Sequence, residues 1–442
     1  MLQKVKFAPG FNKQVTSTGG ESQWVNGDNV RFRYGTPEKI GGWSQLGSVQ
    51  ITGRATAIHH FVNTSGIKYA ILGTNRILYA YSGGIFYDIH PIKSTTTLTN
   101  AFSTTNGSKT VTITFASAHN INKFDIILLD NLTAITNSGF TSSDFNDKKF
   151  MVTSIPTDTT LTIEMDSNES GSGASTSGGI RVKHYYPVGP AVEVASTGWS
   201  LGSWGGQQAG QFTSTLSSSI NASVTSLTMA SSSSFPSSGT VLVDNELITY
   251  TANDNSGTLS GLTTDASNFF AWNAAASGDI VTAPGLWSLD NLGNKLIATI
   301  NGGESFEWDS NPTGANNTRA TIITGAPTAS AFSLVSTPDR HLIFFGTETT
   351  IGTKSTQDPM FIRFSSQEDI NTYAPSATNT AGTQRLADGS KIVGAIRGRD
   401  AIYIWTDTAL FIMRFVGPPF TFSFQQVGTN CGLIGQNAAV EV

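Results

Sequence analysis

Four short apolar segments near the end of the chain constrain the fold more than any other feature of the sequence. Turn-forming residues separate these segments, which cover 392–396, 401–405, 409–415 and 420–424. Segments of this length that are rich in β-branched and aromatic residues are too short for ordinary helices and predict strands. Because connections of a few residues cannot make the crossover that parallel strands need, neighbouring strands are antiparallel. The stretch therefore predicts a four-stranded meander, the shape of one β-propeller blade.

The same pattern recurs earlier in the chain. Counted from the second strand, the copies begin at Lys68, Lys295, His341 and Asp400. The later steps are close to the repeat of about 40–50 residues found in propellers, and the first step agrees once two inserted stretches are set aside. We therefore predict an all-β protein, a β-propeller of four-stranded antiparallel blades with two inserted small β-sandwich or β-barrel domains. Four unrelated meanders in a sandwich are the alternative.

The interruptions of the repeat define the predicted units. In chain order these are an N-terminal arm with an edge strand (1–54), a propeller blade (55–91), an inserted β domain (92–190), a linker or propeller segment (191–210), a second inserted β domain (211–283) and further blades (284–442). Residues 431–435 and 438–442 resemble the opening strand of another blade. We therefore predict that the propeller continues beyond the end of this chain.

The composition supports an all-β protein and excludes several classes of function. Charged residues make up only 13% of the chain, there are 45 glycines, and the net charge is −5. Such a chain lacks the basic surface with which proteins grip nucleic acid. The single cysteine, Cys431, excludes an internal disulfide, and its apolar surroundings predict a buried side chain. No apolar stretch is long enough to span a membrane.

The N-terminal arm holds the densest cluster of charged and aromatic residues in the chain. Residues 30–34 read VRFRY, so Val30, Phe32 and Tyr34 share one face of a strand and the two arginines point the other way. This pattern fits an edge strand that uses positive charge to discourage aggregation. It fits an assembly contact equally, because Trp and Arg are enriched at interface hot spots. The candidate assembly interface consists of Trp24, Arg31, Arg33, Lys39 and Trp43.

Several motifs resemble one family of phage proteins. The segment 31–43, RFRYGTPEKIGGW, resembles a stretch near the start of the tail nozzle proteins of short-tailed, podovirus-type bacteriophages, also called tail tubular protein B or packaged-DNA stabilisation proteins. The segment 243–250, VDNELITY, resembles a short β module of phage structural proteins. Further segments similar to the nozzle family are 358–369, 389–393, 406–410 and 415–422.

The resemblance implies a structural role. It implies a propeller-bearing subunit that forms a homo-oligomer, a hexameric ring below the portal and the tail adaptor protein. The ring would close the DNA-ejection channel before ejection, let phage DNA pass without sequence-specific binding, and contact tail fibres. The implied location is the short tail of the virion, after synthesis in the bacterial cytoplasm. Nozzle proteins generally run well past the point where this chain ends, so the number of blades stays open.

Two other functions are compatible with a propeller: a virion glycan hydrolase, and an adhesin that binds host glycans through β inserts on its rim. Glycoside hydrolysis needs two carboxylates that flank the bond. The candidates lie on ordinary turns, and the repeated Ser-x-Asp-x-Gly-x-x-Trp turn of sialidase-type propellers has no copy here. The six histidines lack metal-ligand spacing. We therefore predict no enzyme, no metal and no cofactor. The carboxylates considered are Glu304, Glu307, Asp309, Glu368 and Asp369.

Overall fold

A computed structural model gives the fold of most of the chain, which divides into two compact units, Met1–Gln50 and Ile51–Val442. Within the described residues all regular structure is β, apart from two short 3-10 turns at Ser142–Asp144 and Lys354–Thr356. This confirms the all-β prediction. The predicted linker at 191–210 lies outside the described residues. The described residues are 8–17, 19–42, 44, 50–136, 138–168, 175–177, 179–189, 214, 216–217, 224–233, 235, 237–243, 246–262, 285–310, 318–337, 339–418 and 420–441.

The first unit contains two small two-stranded sheets. Strand β1 (Ala8–Phe11) pairs in parallel with β2 (Gln23–Trp24). Strand β3 (Val30–Arg33) forms an antiparallel hairpin with β4 (Thr36–Lys39). An isolated two-stranded hairpin is only marginally stable in water, so contacts beyond its own ladder must support it.

The second unit begins with a four-stranded antiparallel meander, sheet 1. Its first strand alternates between the two faces, with Phe61 buried and its neighbours His60 and Val62 exposed. This alternation arises because successive side chains of a strand point to opposite faces. The strands of sheet 1 are β5 (Ala55–Val62), β6 (Lys68–Thr74), β7 (Leu78–Ser82) and β8 (Ile85–Asp88).

The first insert forms a seven-stranded antiparallel sheet in the order β10-β11-β15-β14-β12-β17-β9, and β13 pairs separately with β16. Its strands are β9 (Ile92–Thr99), β10 (Phe102–Thr104), β11 (Thr110–Thr114), β12 (Ile126–Asp130), β13 (Ala134–Thr136), β14 (Lys148–Thr157), β15 (Thr160–Glu164), β16 (Ser175–Ser177) and β17 (Gly179–Tyr185).

The second insert contains a three-stranded sheet, β18-β22-β21, and a hairpin, β19-β20. Its buried side chains Leu227, Tyr250 and Leu259 belong to the same hydrophobic cluster as Phe145 and Ile163 of the first insert. The two inserts therefore share one core. The strands are β18 (Ser226–Thr228), β19 (Gly239–Val243), β20 (Glu246–Tyr250), β21 (Ala252–Asn253) and β22 (Thr258–Ser260).

Three further four-stranded antiparallel meanders, sheets 2, 3 and 4, complete the second unit. The strands predicted between 392 and 424 correspond to the last of them. Sheet 2 comprises β23 (Trp287–Leu292), β24 (Lys295–Ile300), β25 (Ser305–Asp309) and β26 (Thr321–Ile322); sheet 3 comprises β27 (Phe332–Ser336), β28 (His341–Phe345), β29 (Phe361–Phe364) and β30 (Gly382–Arg385); sheet 4 comprises β31 (Ile392–Arg397), β32 (Ile402–Thr406), β33 (Ala409–Gly417) and β34 (Thr421–Thr429).

Successive sheets pack face to face, and the alternation of side chains explains how. In β28, Leu342 and Phe344 belong to a cluster with Ile297 of sheet 2, whereas Ile343 and Phe345 belong to a cluster with sheet 4. Neighbouring residues of one strand thus enter two different cores, which is why the strand is apolar throughout rather than alternating. The first strands of the four sheets are neighbours in the order β5, β23, β27, β31.

Candidate functional site

The predicted assembly segment forms the hairpin of the first unit. Arg31 and Arg33 are exposed and Val30 and Phe32 are half-buried, as the alternation predicts. Tyr34 does not share that apolar face, because it lies in the turn and is 93% exposed. Tyr34 and the glycine after it have φ angles of 50° and 81°, the left-handed pair that a two-residue type I′ hairpin turn requires. The strand prediction was therefore one residue too long.

Aromatic contacts support this hairpin from within the first unit. The ring of Phe32 lies 5.2 Å from that of Phe11 in an edge-on arrangement, and 6.4 Å from that of Trp24. Rings at such separations stabilise each other beyond the area they bury. Trp24, predicted as an interface anchor, is therefore part of the internal support of the hairpin. Trp43 lies outside the described residues.

The basic residues of the hairpin differ in the side chains that they contact. Nη2 of Arg31 lies 3.1 Å from the Glu38 carboxylate on the opposite strand. The guanidinium of Arg33 lies 5.4 Å from the centre of the exposed Tyr34 ring, and Lys39 is exposed at the end of β4. The tip of the hairpin thus presents an arginine stacked on a tyrosine.

The second unit contains a cavity of about 540 Å³ where the first strands of the four sheets converge. Each of β5, β23, β27 and β31 contributes part of the wall, and the segment that follows β34 contributes the rest. The lining residues are 56–58, 287–290, 332–334, 395–397 and 436–437.

Side chains of β23 bind the edge of β27 at this cavity. Oγ of Ser288 donates to the carbonyl of Ser333 at 2.7 Å and accepts from its N–H at 3.2 Å. Two residues later, Oδ2 of Asp290 accepts from the N–H of Val335 at 2.8 Å. The free edge of a first strand leaves backbone groups without a ladder partner, and these side chains satisfy them. Sheets 2 and 3 are therefore fixed in register at the cavity.

An ion pair extends this arrangement to sheet 4. Nη2 of Arg397 on β31 lies 3.2 Å from Oδ1 of Asp290, whose side chain is 6% exposed. Nη1 of Arg397 donates to the carbonyl of Val335 at 3.2 Å. The single carboxylate is thus matched by one guanidinium and by backbone N–H groups, which is what burial of a charge requires.

The segment after β34 returns to the cavity. The N–H of Cys431 donates to the carbonyl of Thr408 at 3.0 Å, and the N–H of Leu433 donates to the carbonyl of Thr406 at 3.1 Å. Gly394 of β31 permits a close approach, because a Cβ there would lie 2.8 Å from the carbonyl oxygen of Gln436. The prediction of a buried Cys431 was wrong, because its side chain is exposed on this segment.

The carboxylates considered for hydrolysis do not line the cavity. Glu307 pairs with Lys295 at 2.6 Å, and Glu368 lies 3.3 Å from Arg340. Among the lining residues that the structure describes, Asp290 is the one carboxylate. The described residues also contain no group of three or more His, Cys, Asp or Glu side chains placed to hold a metal ion, and no helix among them has the length and apolarity of a membrane span.

Arg319 organises a polar network that the sequence analysis missed, at the junction of sheet 1, sheet 2 and the first insert. Its Nη1 donates to Oδ1 of Asp88 at 3.1 Å and to the carbonyl of His90 at 2.8 Å, and its Nη2 donates to the hydroxyl of Tyr185 at 2.8 Å. Lys149 Nζ lies 3.0 Å from Oδ2 of Asp88. Burial alone would raise the pKa of Asp88, but the charges of Arg319 and Lys149 outweigh it and hold that pKa below its ordinary value.

His90 lies in the same network and is fully buried. Its Nδ1 accepts from the N–H of Leu78 at 3.1 Å, and its Nε2 lies 2.8 Å from the carbonyl of Tyr186. The first contact needs a lone pair and the second a proton, so the imidazole is neutral with the proton on Nε2. Burial lowers the pKa of His90 to about 4. The ring is a structural link between strands.

One further group has the connectivity of a catalytic triad. Nδ1 of His341 lies 3.1 Å from Asp339, and its Nε2 lies 3.1 Å from Oγ1 of Thr380. A triad histidine must reach a substrate, but His341 is 0% exposed. Its ring is enclosed by Phe415 and Phe422, at 5.8 and 5.1 Å. The group therefore stabilises the fold.

Comparisons with known proteins find no matching family and only distant structural neighbours. No protein-family model matches the sequence, and no curated protein matches it significantly. Among solved structures, the phage phi92 endosialidase aligns at 12% identity with a TM-score of 0.19, covering 82% of this chain and 54% of that chain. The extracellular domain of a putative one-component system from B. thetaiotaomicron aligns at 11% identity with a TM-score of 0.20, covering 85% and 60%. The chain thus spans little more than half of each.

Proposed function

We propose that this chain is a structural subunit of a bacteriophage tail, a nozzle-type ring below the portal and adaptor that forms and closes the DNA-ejection channel. We also propose that its four meanders are blades of a β-propeller. The resemblance of segments such as 31–43 and 358–369 to nozzle proteins motivates the role. In this proposal the chain lies in the short tail of the virion as a hexamer.

The observation that carries the proposal is the convergence of the first strands of all four sheets on one cavity. Ser288 and Asp290 of sheet 2 bind the edge of β27, the first strand of sheet 3. Arg397 of sheet 4 pairs with Asp290. Such links favour a rigid scaffold whose sheets radiate from a common axis, as blades do. With one carboxylate at the cavity among the described residues, the geometry gives no support to the hydrolase alternative.

The hairpin of the first unit is the assembly contact in this proposal. Its tip combines an exposed tyrosine with Arg33, and Lys39 is exposed at the other end of the hairpin, opposite Val30. Tyrosine and arginine are over-represented among residues that carry binding energy at interfaces. The net charge of −5 suits a channel subunit that passes DNA without holding it.

Charge reversal tests this contact. Arg33→Glu should reduce the yield of complete tails in a phage complementation assay, since the exposed guanidinium is lost from the interface, while the isolated subunit unfolds at an unchanged temperature. Lys13→Glu, an exposed reversal in the same unit, is the matched control and should assemble normally. Normal assembly of the Arg33 variant would remove the hairpin from the proposed interface.

Location in the particle tests the role itself. Gold-labelled antibody against the second unit should bind the short tail of intact virions. Label on radiating fibres would instead favour an adhesin, and virions without any label would contradict every virion function proposed for the chain.

Glycan binding is the second candidate, and one observation favours it. The cavity of about 540 Å³ combines hydroxyl, amide and apolar groups from five parts of the chain. Its size is in the range of about 300–1,000 Å³ that is usual for small-molecule sites. A structural subunit of a tail and a saccharide-binding protein are not exclusive, because a tail meets the glycans of the cell surface.

A further inference from the structure

We propose that the cavity formed by β5, β23, β27 and β31 binds a neutral saccharide of one or two rings. The inference rests on the second candidate function and names its site and ligand class. Four first strands supply the walls and the segment after β34 supplies an amide-bearing rim. A site built on strands that are fixed to one another holds its geometry better than a site on loops.

The charges at the cavity select against ionic ligands. Asp290 and Arg397 pair at 3.2 Å, and Asp290 also accepts from two backbone N–H groups. Because the two charges already balance each other, an anionic or cationic ligand would add an unmatched net charge beside the pair. A neutral ligand can instead accept from the guanidinium, whose side chain is 37% exposed.

The amides at the rim provide unused hydrogen-bonding capacity. Gln436 and Asn437 line the cavity, and neither side chain makes a hydrogen bond to another described residue. An amide offers a donor and an acceptor side by side, which matches two adjacent hydroxyl groups of a sugar ring. The backbone bonds of Cys431 and Leu433 to sheet 4, and the close contact at Gly394, hold this rim in place.

The walls combine polar and apolar groups. Ala57, Ile58 and Ile396 line the cavity beside Thr56, Ser288 and Ser333. A pyranose presents C–H groups on its faces and hydroxyls at its edge, so a wall of mixed polarity matches both. A lipid chain would leave the rim amides without a partner, and a phosphate would find no unpaired cation in the described lining.

The test is calorimetric titration of the full chain with lactose, maltose, cellobiose and chitobiose at millimolar concentration, and with sialyllactose as the anionic counterpart of lactose. At least one neutral disaccharide should bind, and sialyllactose should bind more weakly than lactose. Gln436→Ala and Asn437→Ala should each weaken binding about fivefold, the effect of losing about one hydrogen bond. Gln425→Ala, an exposed amide of β34, is the matched control and should bind as the parent does.

The contrary results distinguish failure of the proposed site from failure of the proposed glycan-binding function. Binding of a neutral disaccharide that neither rim variant weakens would overturn the cavity as the site and leave glycan binding standing. Tighter binding of sialyllactose would overturn the neutral ligand class. Absence of binding to every sugar, with circular dichroism that shows a folded chain, would overturn both this inference and the second candidate function, and would leave the nozzle proposal untouched.

Discussion

The junction between sheets 1 and 2 and the junction between sheets 3 and 4 join similar meanders by different chemistry. Between sheets 1 and 2 an apolar cluster that includes Phe61 and Trp308 is bordered by the network of Arg319, Asp88 and His90. Between sheets 3 and 4 the interface is mainly a cluster of apolar side chains, in which the rings of Phe332 and Phe345 stack at 4.7 Å. The buried His341 packs against Phe415 and Phe422 at the same junction. The first junction also carries the inserts, and the second does not.

A repeated sheet can therefore be joined to its neighbour in two ways. Apolar packing depends on volume, so it tolerates exchange of one hydrophobic side chain for another of similar size. A buried ionic network depends on complete pairing, because one missing partner leaves a charge that water no longer solvates. The network between sheets 1 and 2 also receives Tyr185 and Lys149 from the first insert. It therefore ties the insert to the scaffold as well as sheet to sheet.

Arg319→Met should lower the free energy of unfolding more than the other substitutions proposed for the two junctions. The substitution keeps much of the side-chain volume but leaves the largely buried Asp88 with Lys149 as its remaining cation. We expect a loss of about 3–4 kcal/mol in the free energy of unfolding, toward the lower end of what breaking a buried ion pair costs. Urea titration followed by circular dichroism measures it. A loss under about 1 kcal/mol would show that the network adds no more than a surface ion pair.

His90 makes the first junction sensitive to acid. Its pKa in the folded chain is about 4, below the ordinary value of about 6.5 that the unfolded chain has. As the pH falls through this interval the unfolded state takes up the proton first, so stability is complete above about 6.5 and falls by up to about 3 kcal/mol as the pH approaches 4. Asp88 titrates below its ordinary value and contributes only at lower pH.

Substitution of His90 tests this origin of the acid sensitivity. In urea titrations at a series of pH values, His90→Gln should flatten most of the slope between pH 6.5 and 4, with a residual slope from His119, whose pKa burial also lowers. His60→Gln, an exposed histidine of β5, is the matched control and should keep the full slope. An unchanged slope in the His90 variant would assign the acid sensitivity to other groups.

Local features of the fold could be predicted from the sequence. The apolar runs predicted the strands of sheet 4. The turn between its second and third strands is stabilised by the hydroxyl of one residue, Thr406. Oγ1 of Thr406 accepts from the N–H of Ala409 at 2.8 Å, and Oγ1 of Thr74 accepts from that of Ile77 at 2.7 Å in sheet 1. The residues that form such a turn are three positions apart, so the turn can be recognised from the local sequence.

Contacts between distant segments could not be predicted in this way. Strand periodicity indicates that Ser288 and Asp290 share a face, but it does not indicate that β27 lies opposite them. Arg319 comes from a segment between strands, and nothing near it in sequence predicts Asp88 as its partner. The contact between Trp24 and Phe32 is another example, because nothing near Trp24 in the sequence predicts it. The role of Trp24 as an interface anchor stays a prediction.

Met413→Leu should lower the free energy of unfolding less than the substitutions at the first junction. Met413 is 1% exposed within the apolar cluster between sheets 3 and 4, and leucine has a similar volume. We expect a loss below about 1.5 kcal/mol, as for other volume-conserving exchanges in a core. The same urea titration measures it alongside Arg319→Met. A loss as large as that of the Arg319 variant would mean that the apolar junction also depends on specific shape, and that the two junctions do not differ in the way proposed here.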